Sequence, residues 1–220
     1  MENDMPFGKH IYEVRTLMEL KRYQNRFMFK RRSVAEHMWS VAKIAEGLAI
    51  WEERKFDHPV NMGILLERCI NHDVIEKATG DIIATTKKRT KDMQSALEEI
   101  EGLAYEEEIQ PDLPNSWRPR FREYMLNPKA DDIEGAILTA ADIIDTVLEA
   151  IEEVKLGNEV FEKILKEVMA LLLKVELDSV KYFIRYAMLD FGLDYETYYG
   201  KEVATYAKSL YFDPKVFDKN

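Results

Sequence analysis

The sequence has little of several features that would indicate other classes of protein. Its one cysteine, Cys69, excludes an internal disulfide framework, fits a reducing compartment and is expected to be a buried core thiol. The 9 glycines and 7 prolines among 220 residues are few for an all-β protein with its many tight turns. No run of about 18 apolar residues suggests a membrane span, and residues 1–15 lack the apolar centre of a signal peptide. We therefore expect a cytoplasmic protein with no membrane partner.

The charge balance narrows the class of ligand. The formal net charge is −10, which disfavours general nucleic-acid binding because such binding depends on Lys and Arg neutralising phosphates. Two local segments are basic although the chain as a whole is acidic, at residues 20–32 and 87–91. A solvated, charged helix end is the simpler interpretation of the first segment. We expect no nucleic-acid polymer as partner, but a small anionic ligand in a locally basic pocket is compatible with the charge.

Much of the sequence consists of residues that favour helices. Long stretches are rich in Ala, Leu, Glu, Lys and Met, and 46% of the residues are hydrophobic, which predicts an all-α chain with one well-buried core. We expect a single domain over residues 1–220, with a core at about 15–155 and a helical extension at about 159–220. The apolar periodicity predicts helices at about 9–24, 34–51, 60–79, 92–107, 120–126, 133–151 and 159–188. Ser33 with Glu36, and Asp131 with Glu134, are predicted capping boxes.

The segment from Glu67 to Asp81 organises the rest of the chain. It predicts the end of a helix in which His72, Asp73 and Glu76 share one side, because 72 and 76 are one turn apart. Gly80 stands where a left-handed helix terminator is expected. Asp81 follows closely enough to fold back on the same side. Three side chains able to bind a metal or carry a proton would then face one point.

Two residues on other predicted helices are candidates to join them. His37 lies on the first turn after the Ser33 capping box, and alone it would be a surface or packing residue. Asp142 interrupts an apolar run, where a buried carboxylate costs several kcal/mol unless it pairs with a charge or a metal. Asp145, one turn later, is either its partner or a solvent-facing neighbour. Two imidazoles and two carboxylates form a mixed N/O ligand set that suits a divalent metal such as Mn, Co, Fe, Ni or Zn.

The order His37, His72-Asp73, Asp142 resembles the signature of the HD-domain metal-dependent phosphohydrolases. The sequence is most similar to their YfbR-like branch, the bacterial 5′-deoxynucleotidases. That branch carries a Ser-Val-x-Glu-His segment, here residues 33–37, and a His-Asp-x-x-Glu-x-x-Thr-Gly-Asp segment, here residues 72–81. The resemblance covers about residues 15–155 and implies an HD-domain helical bundle with its metal site between helices.

The resemblance also implies roles for individual residues. It implies one divalent ion (Mn, Co, Ni, Fe, Zn or Mg), and Glu76 as the residue that activates or relays protons for the attacking water, with Asp73 beside it at the catalytic centre. The implied ligands of the ion are His37, His72, Asp73 and Asp142. The implied substrate contacts are Arg22 to the phosphate, Tyr23, Asp81 near the sugar, and Lys87, whose role is undefined. The implied reaction is hydrolysis of a nucleoside 5′-monophosphate, most often a deoxy form, by a homodimer.

Departures from the family pattern leave the substrate open. Tyr23 stands where the family has tryptophan, the prolines expected after Asp81 are missing, and the C-terminal third matches poorly. The extra histidines of two-metal HD phosphodiesterases and of deoxynucleotide triphosphohydrolases are absent, which favours a single-metal site with His10 and His58 as bystanders. Lys77 stands where stringent-response hydrolases have aspartate. The alternatives are a phosphatase or phosphodiesterase for another small phosphate ester, and a non-catalytic sensor of metal or nucleotide.

Overall fold

The computed structural model describes residues 7–87 and 89–216, and within these ranges every named element is a helix. The α-helices are α1 Gly8–Glu13, α2 Val34–Phe56, α3 Met62–Cys69, α4 Glu76–Thr79, α5 Ala84–Lys87, α6 Lys91–Ala104, α7 Arg118–Leu126, α8 Ile133–Lys155, α9 Val160–Leu172, α10 Asp178–Arg185 and α11 Lys201–Ser209. Short 3₁₀ segments are Val14–Met18, Gln110–Asp112, Ala187–Phe191 and Pro214–Val216, and π-helical segments are Tyr105–Ile109 and Tyr195–Tyr199. The predicted all-α class is confirmed. No helix among the described residues is both long enough and apolar enough to cross a bilayer.

The chain divides into two compact units. The first comprises Met1–Trp39 and Glu67–Pro128, and the second comprises Ser40–Leu66 and Lys129–Asn220. The expectation of a single domain stays a prediction. Helix α2 contributes its first six residues to the first unit and the remainder to the second.

A small apolar core positions the first unit's functional segments. Its buried members are Leu17, Val34, Met38, Val74, Ile75, Tyr105, Ile109, Leu113 and Met125. Val34 and Met38 flank His37 on α2, while Val74 directly follows the His72-Asp73 pair. The Tyr105 hydroxyl donates to the Arg118 carbonyl at 2.6 Å, so this large buried ring is also satisfied as a donor. Burial of these neighbours on both sides is what holds the histidines and Asp73 in place.

Helix α2 begins at the predicted capping box. The Ser33 hydroxyl accepts the Glu36 N–H at 3.2 Å, and the Glu36 carboxylate accepts the Ser33 N–H at 2.6 Å. Two backbone donors that the first turn leaves unpaired are thereby satisfied. The helix continues to Phe56, beyond the predicted end near Trp51, and stops at Asp57, whose φ is 59°.

The second predicted capping box is wrong by one residue. The N-cap of α8 is Asp132, whose side chain accepts the Gly135 N–H at 2.8 Å. Glu134 instead accepts the Asn61 N–H at 2.6 Å, a contact between segments far apart in sequence. Glu134 is therefore bonded to a residue distant in sequence, rather than to the N-cap of α8 as the local pattern predicted.

Two long predicted helices are divided into shorter elements. Residues 9–24 form α1 and one 3₁₀ segment that ends at Met18. Residues 159–188 form α9 and α10 with a break between them, and Glu52 accepts the Ser179 N–H at 2.8 Å, near the start of α10. Apolar periodicity continues through such a break, because both helices bury one face.

The helix predicted at 60–79 is also interrupted. Between Cys69 and Glu76 the backbone bonds span three residues rather than four: the N–H groups of Asn71, Val74 and Glu76 donate to the carbonyls of Arg68, Asn71 and Asp73, each at 3.1 Å. His72 and Asp73 thus lie in tight turns between α3 and α4. The sequence had indicated a regular helix face at these two residues, and this expectation is wrong.

Candidate metal centre

Three metal-type side chains meet in the first unit. The Nε2 atoms of His37 and His72 are 3.4 Å apart, and Asp73 Oδ2 lies 3.4 Å from the first and 3.2 Å from the second. One potential ligand atom from each residue lies within 4.8 Å of the others. Both histidines are buried and Asp73 is partly buried. The tight turns after α3 and the first turn of α2 therefore bring together three of the four predicted ligands.

The orientation of His72 is fixed by the backbone. Its Nδ1 lies 2.8 Å from the Cys69 carbonyl oxygen, and a carbonyl can only accept, so Nδ1 carries the proton. The lone pair of Nε2 then faces His37 and Asp73, the arrangement that protein metal sites commonly use. Cys69 contributes its carbonyl to the site, while its thiol is buried as expected.

The electrostatics of Asp73 suit a cation site. Burial acts to raise the pKa of this carboxyl, but the two imidazoles beside it outweigh burial and hold the pKa well below its usual range. An ionised carboxylate oxygen and two imidazole nitrogens converge on one point. This donor set fits a divalent metal ion, and by its chemistry it does not select one ion from the borderline series.

Glu76 presents a different carboxyl environment. It is 4% exposed, and its Oε2 has no hydrogen-bond partner among the described residues. Burial raises the pKa of Glu76 to about 9, the negative charge of Asp73 adds to the shift, and Lys87 and Arg22 oppose it. A carboxyl that retains its proton so readily, next to a metal-type cluster, is suited to carry a proton during catalysis.

Lys87 lies between two acidic side chains. Its Nζ lies 3.6 Å from Glu76 Oε1 and 3.3 Å from Glu101 Oε1. Burial acts to lower the pKa of Lys87, but Glu76 and Glu101 outweigh it, and the net shift is upward. Nothing in the sequence distinguishes Glu101, because an acidic residue on an amphipathic helix carries no special signal. The structure places it as the second anchor of Lys87.

Arg22, Tyr23 and Asp81 form one local arrangement. Arg22 is 8% exposed, and its guanidinium carbon lies 5.2 Å from the centre of the Tyr23 ring. The Tyr23 backbone N–H donates to Asp81 Oδ2 at 2.7 Å. Asp81 therefore folds back from the end of α4, as the sequence indicated, and it contacts the backbone next to Arg22.

Gly80 makes that return possible. Its φ of 76° has the expected positive sign, but its ψ of 165° lies outside the left-handed helical region that was predicted. This combination is accessible almost only to glycine. The Gly80 N–H still donates to the Glu76 carbonyl at 2.8 Å, which closes α4 before Asp81.

The remaining predicted ligand, Asp142, belongs to the second unit. Its side chain is 25% exposed and forms an ion pair with Lys129, whereas Asp145, one turn later, is almost fully buried, at 1%, and accepts from Ser40. The burial argument that selected Asp142 thus describes Asp145 better. The role of Asp142 as a ligand stays a prediction.

The other histidines and Lys77 have structural partners. His10 is buried against Phe121, with ring centres 5.7 Å apart, and burial lowers its pKa. His58 lies 2.7 Å from the Glu52 carboxylate. Lys77 donates to Glu13 at 2.8 Å and so connects α4 with α1. Both histidines thus have contacts of their own, and their status as bystanders stays a prediction.

Solved structures with the same architecture define the class. An HD-domain phosphohydrolase from Listeria innocua superposes with a TM-score of 0.79 and 27% identity, over 91% of this chain and 97% of that one. A cyanophage S-2L HD phosphohydrolase, solved with dA and one catalytic Zn²⁺ ion, shares the fold with a TM-score of 0.56 and 19% identity, over 82% and 93% of the two chains. The fold and the His37–His72–Asp73 cluster define an HD-domain, metal-dependent phosphohydrolase.

Sequence relatives define the family within this class. The model of the 5′-deoxynucleotidase YfbR-like family matches residues 9–191, so the chain belongs to that family. A 5′-deoxynucleotidase of Shewanella oneidensis is 28% identical over 80% of this chain and 90% of its own length. A 5′-deoxynucleotidase of Vibrio cholerae is 28% identical over 70% and 78% of the two chains. The family match extends beyond the 15–155 range expected from the motifs and includes α9 and α10.

Proposed function

We propose that this enzyme hydrolyses deoxyribonucleoside 5′-monophosphates to nucleoside and inorganic phosphate with a single divalent metal ion. The observation that carries the proposal is the buried Glu76 carboxyl beside the His37–His72–Asp73 cluster, with Oε2 lacking a hydrogen-bond partner among the described residues. A site that only stored a metal would gain nothing from this strongly shifted acid. The curated relatives, named as 5′-deoxynucleotidases, support the substrate class.

The residues of this chain divide the reaction between them. Arg22 and Lys87 supply positive charge for the phosphate, and a guanidinium can bind two phosphate oxygens at once. In its ionised form, which a bound cation favours, Glu76 takes a proton from the attacking water and can return it to the departing 5′ oxygen. When bound, a divalent ion acidifies water and polarises a phosphoryl oxygen. Burial of Glu76 keeps bulk water from supplying or removing that proton freely.

We also propose Asp142 as the fourth ligand, on the residue match alone. Asp142→Ala is expected to weaken metal affinity by at least about tenfold, the size of effect seen when supporting groups of metal sites are removed. Lys129→Ala removes the described ion pair of Asp142 without removing a ligand, and it is the control. Titration of the chelated variants with Mn²⁺ or Zn²⁺ by calorimetry measures both. Equal affinity in Asp142→Ala and the wild type would remove Asp142 from the ligand set.

The test of the function is phosphate release from a panel of ribo- and deoxyribonucleoside 5′-monophosphates. The protein is chelated and resupplied with Mn²⁺, Co²⁺, Ni²⁺, Fe²⁺, Zn²⁺ or Mg²⁺, which also identifies the preferred ion. We expect metal-dependent release that favours the deoxy series. Release only from other phosphate esters would support a phosphatase activity but reject nucleoside 5′-monophosphates as its substrate. No release with any metal, despite binding, would favour a sensor.

The role of Glu76 has its own test. Glu76→Gln preserves shape but cannot exchange a proton at this site, so we expect kcat to fall by about 10²- to 10⁴-fold with metal content unchanged. Glu98→Gln, an exposed change on α6, is the control and should retain full activity. Metal content by elemental analysis accompanies the rates. A Glu76→Gln enzyme with wild-type kcat would exclude the proton-transfer role.

Oligomeric state and location have different grounds. We propose a homodimer, as implied by the family, and a cytoplasmic location, because the single cysteine fits a reducing compartment. Size-exclusion chromatography with light scattering measures the mass directly, and a mass of 25.8 kDa, that of one chain, would reject the dimer.

A further inference from the structure

The Tyr23 backbone adopts an unusual conformation next to the predicted phosphate-binding arginine. Tyr23 has a φ of 52°, in the left-handed region that non-glycine residues rarely occupy. Immediately before it, the chain is fixed by two backbone bonds: Arg22 N–H donates to the Arg32 carbonyl at 3.0 Å, and Val34 N–H donates to the Leu20 carbonyl at 2.9 Å. After it, the Arg26 N–H donates to the Tyr23 carbonyl at 3.0 Å and closes a turn. A strained residue therefore stands between two fixed segments.

Asp81 satisfies the first backbone donor of that turn, the Tyr23 N–H. Its Oδ2 accepts the Tyr23 N–H at 2.7 Å, across 58 residues of sequence. The short distance fits a bond assisted by the charge of the carboxylate. A partner outside the turn thus holds Tyr23 in this conformation, and Asp81 is placed to do so because Gly80 directs the chain back from α4.

The conformation of Tyr23 affects the neighbouring residue Arg22. Its guanidinium is buried and stacks on the Tyr23 ring, and its positive charge acts on Glu76. The backbone of Tyr23 thus determines where both the Arg22 side chain and the Tyr23 ring point. We propose that Asp81 is a positioning residue: by holding the Tyr23 N–H, it sets the Arg22–Tyr23 pair for phosphate binding, whichever sugar the phosphate carries.

The kinetic predictions of this inference rest on the proposed function. The inference differs from the family-based expectation, in which Asp81 lies near the sugar. A residue that reads the sugar hydroxyls changes the preference between deoxyribonucleotides and ribonucleotides. A residue that positions Arg22 changes phosphate affinity equally in both series. Oδ2 accepts the Tyr23 N–H while Oδ1 is a separate oxygen that can reach a sugar, and the kinetic comparison below separates the two roles.

The variants are Asp81→Ala, Asp81→Asn, Arg22→Ala and the double variant Arg22→Ala with Asp81→Ala. Asp81→Asn keeps an oxygen that can accept the Tyr23 N–H, so it is the conservative variant that should rescue. Asp92→Ala, an exposed acidic residue at the start of α6, is the control. For each variant, KM and kcat are measured with matched deoxy and ribo 5′-monophosphates, together with inhibition by inorganic phosphate.

We expect Asp81→Ala to raise KM by about tenfold in both series and to weaken phosphate inhibition by a similar factor, as loss of a charge-assisted hydrogen bond predicts. The deoxy-to-ribo preference should change by less than about twofold. The double variant should be no worse than Arg22→Ala, because the two residues act as one unit. Asp81→Asn should stay within about threefold of wild type. Unchanged phosphate inhibition with an altered sugar preference would overturn the inference.

Hydrogen exchange tests the positioning role of Asp81 without depending on turnover. Hydrogen exchange of the segment from Leu20 to Val34 should quicken at Tyr23 in Asp81→Ala and stay at the wild-type rate in Arg22→Ala. Unchanged exchange in Asp81→Ala would reject the positioning role. If the wild type hydrolyses no nucleotide, the proposed function fails, and calorimetric affinity for inorganic phosphate together with exchange still decides the role of Asp81.

Discussion

At the scale of single residues, two carboxyls three positions apart in one turn have opposite properties. Asp73 faces two imidazoles, which hold its pKa low despite burial, while Glu76 is buried with the negative Asp73 nearby, which raises its pKa to about 9. One is therefore prepared to bind a cation and the other to hold a proton. Two carboxyls shifted in opposite directions are the arrangement that lets one site combine both tasks.

The shifted Glu76 makes the stability of the metal-free protein depend on pH. Its pKa is raised from 4.5 to about 9 on folding, so the folded state binds the proton more tightly than the unfolded state. Its stabilising contribution is complete below pH 4.5 and is lost as pH rises through 9. Glu76→Gln lacks this dependence. Its free energy of unfolding relative to the wild type should therefore increase as pH rises, by about 1–3 kcal/mol at pH 7.

Urea unfolding of both proteins in chelator, at several pH values between about 5 and 9, measures this difference. Chelator is needed because a bound cation favours the ionised carboxyl and would mask the effect. Parallel stability curves for the two proteins across that range would contradict the assigned pKa shift.

At the scale of elements, one glycine ends α4 and turns the chain toward the centre. A Cβ at Gly80 would meet no atom within 4 Å, so any cost of substitution comes from the backbone, with φ at 76° and ψ at 165°. The turn after α4 thus depends on conformational freedom rather than on space. At this position glycine serves both the end of a helix and the placement of Asp81.

Gly80→Ala should reduce the free energy of unfolding by about 1–3 kcal/mol, the cost of holding a non-glycine residue in this region. Gly47→Ala is the matched control, because Gly47 lies within α2 and a Cβ added there would likewise meet no atom within 4 Å. There the same change should stabilise by about 0.5–1 kcal/mol. Urea unfolding compares the two, and a loss at both positions would indicate that packing rather than backbone conformation decides.

At the scale of the whole molecule, folding and metal binding are coupled. Because His37 comes from α2 and His72-Asp73 from the turns after α3, a preformed ligand set exists only in the folded chain. A ligand that binds only the folded state stabilises it by mass action. Metal should therefore raise the melting temperature in proportion to the logarithm of its concentration.

At a free metal concentration of about 100 times Kd, the stabilisation is about 2.7 kcal/mol. Calorimetric melting with and without chelator measures it. His72→Ala should lose most of the increase, while His58→Ala, which removes a histidine that pairs with Glu52, should retain it. An equal increase in both variants would place the metal elsewhere.

What the sequence alone determined are the features encoded over a few neighbouring residues. The Ser33–Glu36 capping box placed the start of α2, because capping is local. The spacing of His72, Asp73 and Glu76 grouped these three residues, and the resemblance to the HD-domain family added His37 to them. The resemblance also pointed to Arg22, Asp81 and Lys87, and their roles stay predictions. Apolar periodicity identified the long helices α2, α6, α8 and α9, since each buries one face, but it did not predict α5 or α11.

Only the tertiary structure decided features that depend on partners distant in sequence. The three-residue hydrogen bonding of residues 69–76, the bond from the Tyr23 N–H to Asp81, and the anchoring of Lys87 by Glu101 leave no periodic trace. The break before α10 likewise has a remote partner, Glu52, near its end. Backbone donors must find acceptors wherever packing provides them, and that choice is made by the folded chain as a whole.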